Sequence, residues 1–148
     1  INENGVVATF FIDGLWLENN LSQLKNMTNH EIEILSYNNR YEEIYFQSAI
    51  QYLKNVTGKV ANYCYADYDN KEVIELCSKL QLHTITPTIK ITNTPFQDIK
   101  QKLQNGAIIS FPINTTTQIE LKTVIDYIKS KGYTLTTLEN LLSETLEK

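Results

Sequence analysis

Glycine, proline and arginine are scarce in this chain of 148 residues, which has five glycines, three prolines and Arg40 as its one arginine. Such a composition excludes collagen-like and low-complexity chains. No hydrophobic run approaches the ~18 residues of a membrane span, and we expect no signal peptide. Because the net charge is -4 and no basic stripe is present, nucleic acid is not an expected partner. The 42% of hydrophobic and 20% of charged residues predict one globular domain over residues 1–148.

Cysteine is also rare, with Cys64 and Cys77 as the two examples. Two cysteines are too few for a disulfide-rich scaffold. Cys77 shares a helical spacing with Val73, Ile74 and Leu80, which is typical of a small buried apolar residue. We therefore interpret both cysteines as free thiols. The alternative is a bridge between them, which would require Cys77 to leave its apolar stripe.

Strand-like and helix-like segments alternate along the chain with short joints. Aromatic and β-branched runs predict strands at Val6–Ile12, Glu31–Tyr37, Val60–Tyr65, His83–Ile91, Ala107–Ile113 and Tyr133–Thr137. Apolar residues at helical spacing predict helices at Tyr41–Val56, Lys71–Leu80, Phe96–Leu103, Ile119–Lys131 and Glu139–Leu146. Asp69 and Glu72 form a capping box before the second of these helices. Strict alternation predicts parallel strands in an α/β fold, either a barrel or an open sheet.

Several short strings occur in an order and spacing that resemble one known family. They are VATFFIDG (Val7–Gly14), HEI (His30–Ile32), SY (Ser36–Tyr37), YADY (Tyr65–Tyr68), GAII (Gly106–Ile109) and KGYTLTTL (Lys131–Leu138). The ordered set resembles the polysaccharide deacetylases of the NodB-homology type, carbohydrate esterase family 4, over residues 5 to 142. The resemblance implies a distorted (β/α)7-type barrel whose first strand is absent from this chain.

The resemblance is incomplete at the positions that carry the chemistry of the family. The metal motif His-Ser-x-x-His falls on the segment from Leu35 to Asn39, so both metal-binding histidines are replaced. The arginine that orients the catalytic base falls on Asn62, and the Leu-x-His of the general acid ends on Pro112. The Asp-Asp pair of the family would precede Ile1. The comparison therefore implies that no catalytic or metal site is intact, and we expect no cofactor.

Aromatic and polar residues remain near the carboxyl ends of the predicted strands. Aromatic faces pack on the C–H groups of sugar rings, while amides and carboxylates bond the sugar hydroxyls. The residues predicted to line a glycan groove are Asp13, Trp16, Tyr37, Asn39, Asn62, Tyr65, Asp67 and Phe111. The alternative is that many of these rings fill the core. His30 and His83 each begin a strand and are interpreted as surface or structural residues, because the chemistry of β/α barrels lies at the opposite rim.

The leading hypothesis is a polysaccharide-deacetylase-like domain that acts on or binds N-acetylated glycans and is catalytically degenerate. One alternative is an active hydrolase of N-acetyl amide bonds, which would use zinc or another divalent metal and be completed by residues upstream of Ile1. The other alternative is a structural or assembly module without a small ligand. The resemblance implies an extracellular, cell-surface or cell-wall location. We also expect an upstream segment or a partner chain to cover the edge of the strand at Val6–Ile12.

Overall fold

The computed structural model of this chain describes residues 5–27, 29–38, 41–67 and 70–147. In chain order the elements are β1 (Thr9–Asp13), α1 (Gly14–Asn19), a 3-10 helix (Leu21–Met27), β2 (Glu31–Ser36), α2 (Glu43–Thr57), β3 (Tyr63–Tyr65), α3 (Lys71–Lys79), β4 (His83–Ile85), β5 (Ile89–Lys90), α4 (Pro95–Lys102), β6 (Ile109–Ser110), α5 (Thr115–Ser130) and α6 (Leu138–Glu147). The chain divides into two compact units, one formed by Thr9–Thr86 and the other by Ile1–Ala8 with Pro87–Lys148. The prediction of one domain over residues 1–148 stays a prediction.

The unit Thr9–Thr86 is built on two pairs of parallel strands. β1 pairs with β2, with Thr9 opposite Glu31. β3 pairs with β4, with Tyr63 opposite His83, and β2 also lies against β3. Parallel strands joined by helices confirm the predicted α/β class.

The core of this unit forms where α2 covers the strands. Phe46, Ala49 and Leu53 lie three and four residues apart, so they share one face of α2, and all three are buried. They pack with Leu17 of α1 and Ile34 of β2 in one apolar cluster. This cluster positions the carboxyl ends of β1 and β2, where the candidate site lies.

Cys64 and Cys77 form a disulfide in the structure, with their Cα atoms 5.8 Å apart. The preferred interpretation of two free thiols was therefore wrong. Cys77 does not leave its apolar stripe, because the stripe of α3 already faces β3. Both cysteines are fully buried and belong to the same core cluster as Val73 and Leu76. The bond thus ties α3 to β3 inside the core.

The second unit contains β5 and β6, which pair in parallel with Ile89 opposite Ile109. Helices α4 and α5 pack on each other, and α4 lies against β5. Ile99, Val124 and Ile128 are buried with Ile89 in a separate apolar cluster. Each unit therefore has a core of its own.

Two strand predictions were wrong in this second half of the chain. The segment His83–Ile91 is not one strand, since β4 ends at Ile85 and β5 begins at Ile89. Pro87 lies between them, and proline lacks the N–H that a continuous ladder requires. The segment Tyr133–Thr137 forms no strand. Tyr133 and Leu135 pack against the second core, and this alternating burial produced the strand-like pattern.

The other strands begin or end at different residues than predicted. β1 runs from Thr9 rather than Val6 because its ladder with β2 begins opposite Glu31. β3 is shorter than Val60–Tyr65, and β6 is shorter than Ala107–Ile113. Whether another segment covers the second edge of β1 stays a prediction.

The N-termini of α1, α3 and α5 are capped by side chains that accept hydrogen bonds from free backbone N–H groups. Asn70, not Asp69, is the N-cap of α3, since its side chain accepts a bond from the N–H of Val73. Asp69 itself lies outside the described residues. The sequence patterns also missed α1, whose N-cap is Asp13.

Candidate functional site

Asp13 ends β1 and holds the start of α1. Its Oδ1 accepts hydrogen bonds from the N–H groups of Leu15 at 3.0 Å and Trp16 at 3.3 Å. Its Oδ2 accepts a 2.6 Å bond from the hydroxyl of Ser36, the last residue of β2. Both carboxylate oxygens are therefore engaged within the fold, which makes Asp13 a helix cap and a link between two strands.

The metal that the family resemblance implies does not fit the residues at the positions that the resemblance marks. Leu35 has no donor atom, and the hydroxyl of Ser36 is bonded to Asp13. Within the described ranges, no three His, Cys, Asp or Glu side chains are grouped so that they could hold a metal ion. Asn39 lies outside those ranges. Divalent zinc or cobalt requires nitrogen, sulfur or carboxylate donors, which leucine cannot replace.

Tyr37 follows β2 directly and is fixed on three sides. Its ring stacks on Tyr45 of α2, with the centroids 5.8 Å apart and the planes 14° from parallel. Its hydroxyl donates a 3.2 Å hydrogen bond to Glu18 Oε2 of α1. A Cβ on Gly14 would lie 2.9 Å from the Tyr37 ring, so the ring occupies space that only glycine leaves free.

The pKa of Tyr37 is raised above its ordinary value. The first cause is loss of solvation, followed by the hydrogen bond to Glu18 and the negative charges of Glu18 and Asp13. The phenol therefore remains a neutral donor at physiological pH. We name the surface formed by Tyr37, Tyr45 and Glu18 the tyrosine platform.

Tyr65 and Asp67 lie together at the carboxyl end of β3. The Tyr65 hydroxyl is 3.4 Å from Asp67 Oδ1, which accepts its hydrogen bond. The Tyr65 ring is half-buried, with its centroid 5.7 Å from that of Phe11. Part of this ring therefore fills space within the unit, and part remains exposed.

The other predicted groove residues are more scattered. Trp16 is 41% exposed on α1. Asn62 precedes β3, so it lies at the opposite end of that strand from Asp67, and its backbone N–H donates to the buried carboxylate of Glu33. Phe111 belongs to the second unit, where it is half-buried against the core.

The two histidines have different environments. His30 is buried, and the Phe10 ring meets it edge-on at 5.2 Å. Burial lowers the pKa of His30, because the charged imidazolium is poorly solvated there. His83 is exposed at the start of β4, with its ring 6.2 Å from that of Tyr63. The interpretation of His30 as structural agrees with this burial.

Sequence analysis missed Glu18 and Tyr45. Tyr45 lies within the helix predicted at Tyr41–Val56, and it is 39% exposed. The four-residue spacing of Tyr41 and Tyr45 does not place them on one helix face, because α2 begins at Glu43 and Tyr41 precedes it. No sequence pattern identifies Glu18, because its role depends on where the hydroxyl of Tyr37 lies in the folded chain.

A groove of about 570 Å³ lies elsewhere in the same unit. Its apolar lining comes from α2 and from residues before β3 and β4, namely Ile44, Ile50, Val60, Leu80 and Leu82. None of the predicted groove residues lines it. The predicted glycan groove is a different surface, and it stays a prediction.

Comparison with known proteins finds relatives for most of this chain. The sequence is 28% identical over 164 residues to YlxY of Bacillus subtilis, an uncharacterized protein, and the match covers 98% of this chain and 51% of YlxY. The chain thus spans about half the length of the curated relative that it matches. No family model matches the sequence.

Two solved structures show the same architecture. BA3943 from Bacillus anthracis, described as a CE4 family pseudoenzyme, has a TM-score of 0.80 at 23% identity, over 95% of this chain and 57% of that chain. The peptidoglycan deacetylase PdaC from Bacillus subtilis has a TM-score of 0.80 at 15% identity, over 98% of this chain and 80% of that chain. The chain therefore has the fold of the CE4, or NodB-type, polysaccharide deacetylases, which confirms the predicted fold class.

Proposed function

We propose that this chain is a catalytically degenerate polysaccharide-deacetylase-like domain that binds N-acetylated glycans. The observation that carries the proposal is the 2.6 Å bond between Ser36 and Asp13, next to Leu35. At the positions where the resemblance implies metal ligands, this chain has the alkyl side chain of Leu35 and, next to it, a Ser36 hydroxyl that is hydrogen-bonded to Asp13. A catalytic metal needs about three protein ligands and an open position for water.

The residue at the position of the family's general acid also cannot transfer a proton. Pro112 replaces the histidine expected there, and proline has no side-chain group that can donate or accept a proton. The relative BA3943, described as a pseudoenzyme, is a precedent for the loss of activity in this fold.

The glycan ligand is proposed from the exposed aromatic surface of the unit Thr9–Thr86. Trp16, Tyr37 and Tyr45 all keep part of their rings accessible, with carboxylate and amide side chains on the neighbouring turns. PdaC is a peptidoglycan deacetylase by name, so an N-acetylated wall glycan is the ligand class that this fold suggests.

A location outside the cytoplasm belongs to the same proposal. Disulfides persist in oxidising compartments, and Cys64–Cys77 is bonded. The helices of the described ranges all fall short of the length and apolar character needed for a membrane crossing.

The experiment combines metal analysis, activity and binding on the full chain. We expect no stoichiometric zinc or cobalt after incubation and dialysis, no acetate release from an N-acetylglucosamine hexamer, and measurable binding of that hexamer. Trp16→Ala and Tyr37→Ala should weaken binding, whereas Val60→Ala, an exposed apolar control in the groove away from the platform, should not.

Two results would overturn the proposal. Bound metal together with acetate release would show an active metal-dependent hydrolase. Absence of binding to N-acetylated and deacetylated oligomers alike would show a structural or assembly module.

A further inference from the structure

We infer that the tyrosine platform binds amino-sugar units whose amine is free, and prefers them to N-acetylated units of the same glycan. This inference rests on the proposed glycan-binding function and specifies the ligand of one part of its surface. Its basis is the combination of two fixed aromatic rings with a carboxylate at their edge. A neutral sugar contacts only the aromatic rings, whereas a cationic sugar contacts the rings and also pairs with the carboxylate.

The two rings form a preorganised aromatic surface. They stack on each other, with centroids 5.8 Å apart and planes 14° from parallel, and both side chains keep exposed area that a sugar ring can contact. The position of Tyr37 is held by the hydrogen bond to Glu18 and by the ring's contact with Gly14. Little side-chain freedom remains to be lost when a sugar ring packs on it.

Glu18 supplies the charge that selects the amine. It is exposed, and Tyr37 occupies one lone-pair site of its Oε2, while a carboxylate has about four such sites. An ammonium beside this carboxylate forms an ion pair with it and donates hydrogen bonds to its remaining lone pairs, while the sugar ring packs on the exposed aromatic side chains. The N-acetyl group offers no charge to either partner.

The net charge of the whole chain has the same sign as Glu18, at -4. The Tyr37 phenol is neutral at the pH of the experiment, which lies far below the ordinary tyrosine pKa of about 10, so it keeps its bond to Glu18. A cationic glycan is therefore attracted to this surface before contact is made.

The experiment compares a glucosamine hexamer with an N-acetylglucosamine hexamer by calorimetry on the full chain at pH 6 and low salt. We expect tighter binding of the glucosamine hexamer. Glu18→Gln should weaken that binding about two- to fivefold and leave the N-acetylated hexamer unchanged. Tyr45→Ala should weaken both, because it removes half of the stack.

The control for net charge is Glu75→Gln, which removes an exposed carboxylate from α3. Equal loss with Glu75→Gln and Glu18→Gln would show a general attraction of polycations and overturn the inference. Equal affinity of the wild-type chain for both hexamers would also overturn it and leave the proposed function intact. Failure to bind either hexamer would overturn the proposed function as well.

Discussion

The hydroxyl of Ser36 and the carboxylate of Asp13 are joined by a 2.6 Å hydrogen bond that links the carboxyl ends of β1 and β2. In a β/α fold these ends are the usual place for chemistry. Here the bond satisfies a buried hydroxyl, and the same carboxylate caps α1. Asp13, the side chain at this point that is best suited to chemistry, therefore has a structural role.

Replacement of Asp13 by alanine should therefore reduce stability. The change removes an N-cap and leaves the buried Ser36 hydroxyl without its acceptor, so we expect a loss of about 2–4 kcal/mol in the free energy of unfolding. Asp13→Asn keeps an amide oxygen for the cap and should recover most of this loss. Urea unfolding of both variants measures the difference. Equal stability of Asp13→Ala and the wild-type chain would contradict the structural role.

Gly14 is required by the close approach of α2 and Tyr37. A Cβ at this position would lie 2.6 Å from Ala49 Cβ and 2.9 Å from the Tyr37 ring. We expect Gly14→Ala to destabilise the chain by about 1–3 kcal/mol, since the side chains or backbone must shift. Adding Ala49→Gly should restore part of the loss, because it removes the nearest atom. Additive losses in this double-mutant cycle, measured by urea unfolding, would argue against a direct clash.

Helices α2 to α6 and the parallel pairing of the strands follow from the residue patterns of this chain, whereas α1 was missed. α3 was predicted at Lys71–Leu80 and extends over Lys71–Lys79, since its apolar spacing and polar cap agree. The wrong predictions arise where burial alternates without a strand partner, as at Tyr133, or where Pro87 interrupts a β-rich run. A local pattern reports which side chains are buried, but it does not report what the backbone bonds to.

The candidate site was predictable only in part. Asp13 and Tyr37 were identified because Asp13 follows the strand predicted at Val6–Ile12 and Tyr37 ends the one predicted at Glu31–Tyr37. The partners that decide their roles, Ser36 for Asp13 and Glu18 for Tyr37, lie 23 and 19 residues away in sequence. Such contacts depend on strand register and helix orientation, which no local spacing encodes. The disulfide was missed for the same reason.

The Cys64–Cys77 bond should contribute to stability chiefly by restricting the unfolded chain. It closes a loop with a sequence separation of 13, for which the expected stabilisation is about 2–4 kcal/mol. We expect the double variant Cys64→Ala, Cys77→Ala to lose this amount in urea unfolding. A reducing agent should destabilise the wild-type chain and have no effect on the double variant. An unchanged transition of the wild-type chain after complete reduction, checked by thiol titration, would contradict the prediction.

Burial of His30 should make the stability of the chain depend on pH near neutrality. The folded state lowers the pKa of His30, so the unfolded chain takes up a proton at a higher pH than the folded chain does. Stability is therefore fully present above the ordinary histidine pKa of about 6.5 and falls as the pH drops below it. Urea unfolding between pH 7.5 and 5.5, above the ordinary range of carboxyl groups, should show this decline.

The second histidine provides the matched control for this dependence. His83→Gln removes an exposed imidazole and should keep the decline, whereas His30→Gln should flatten it. The slope of stability against pH is the quantity to compare, because His30→Gln also changes packing against Phe10 and shifts the whole curve. If His83→Gln abolished the slope and His30→Gln preserved it, the group that titrates on unfolding would be His83. The buried imidazole would then have no part in the acid sensitivity of the fold.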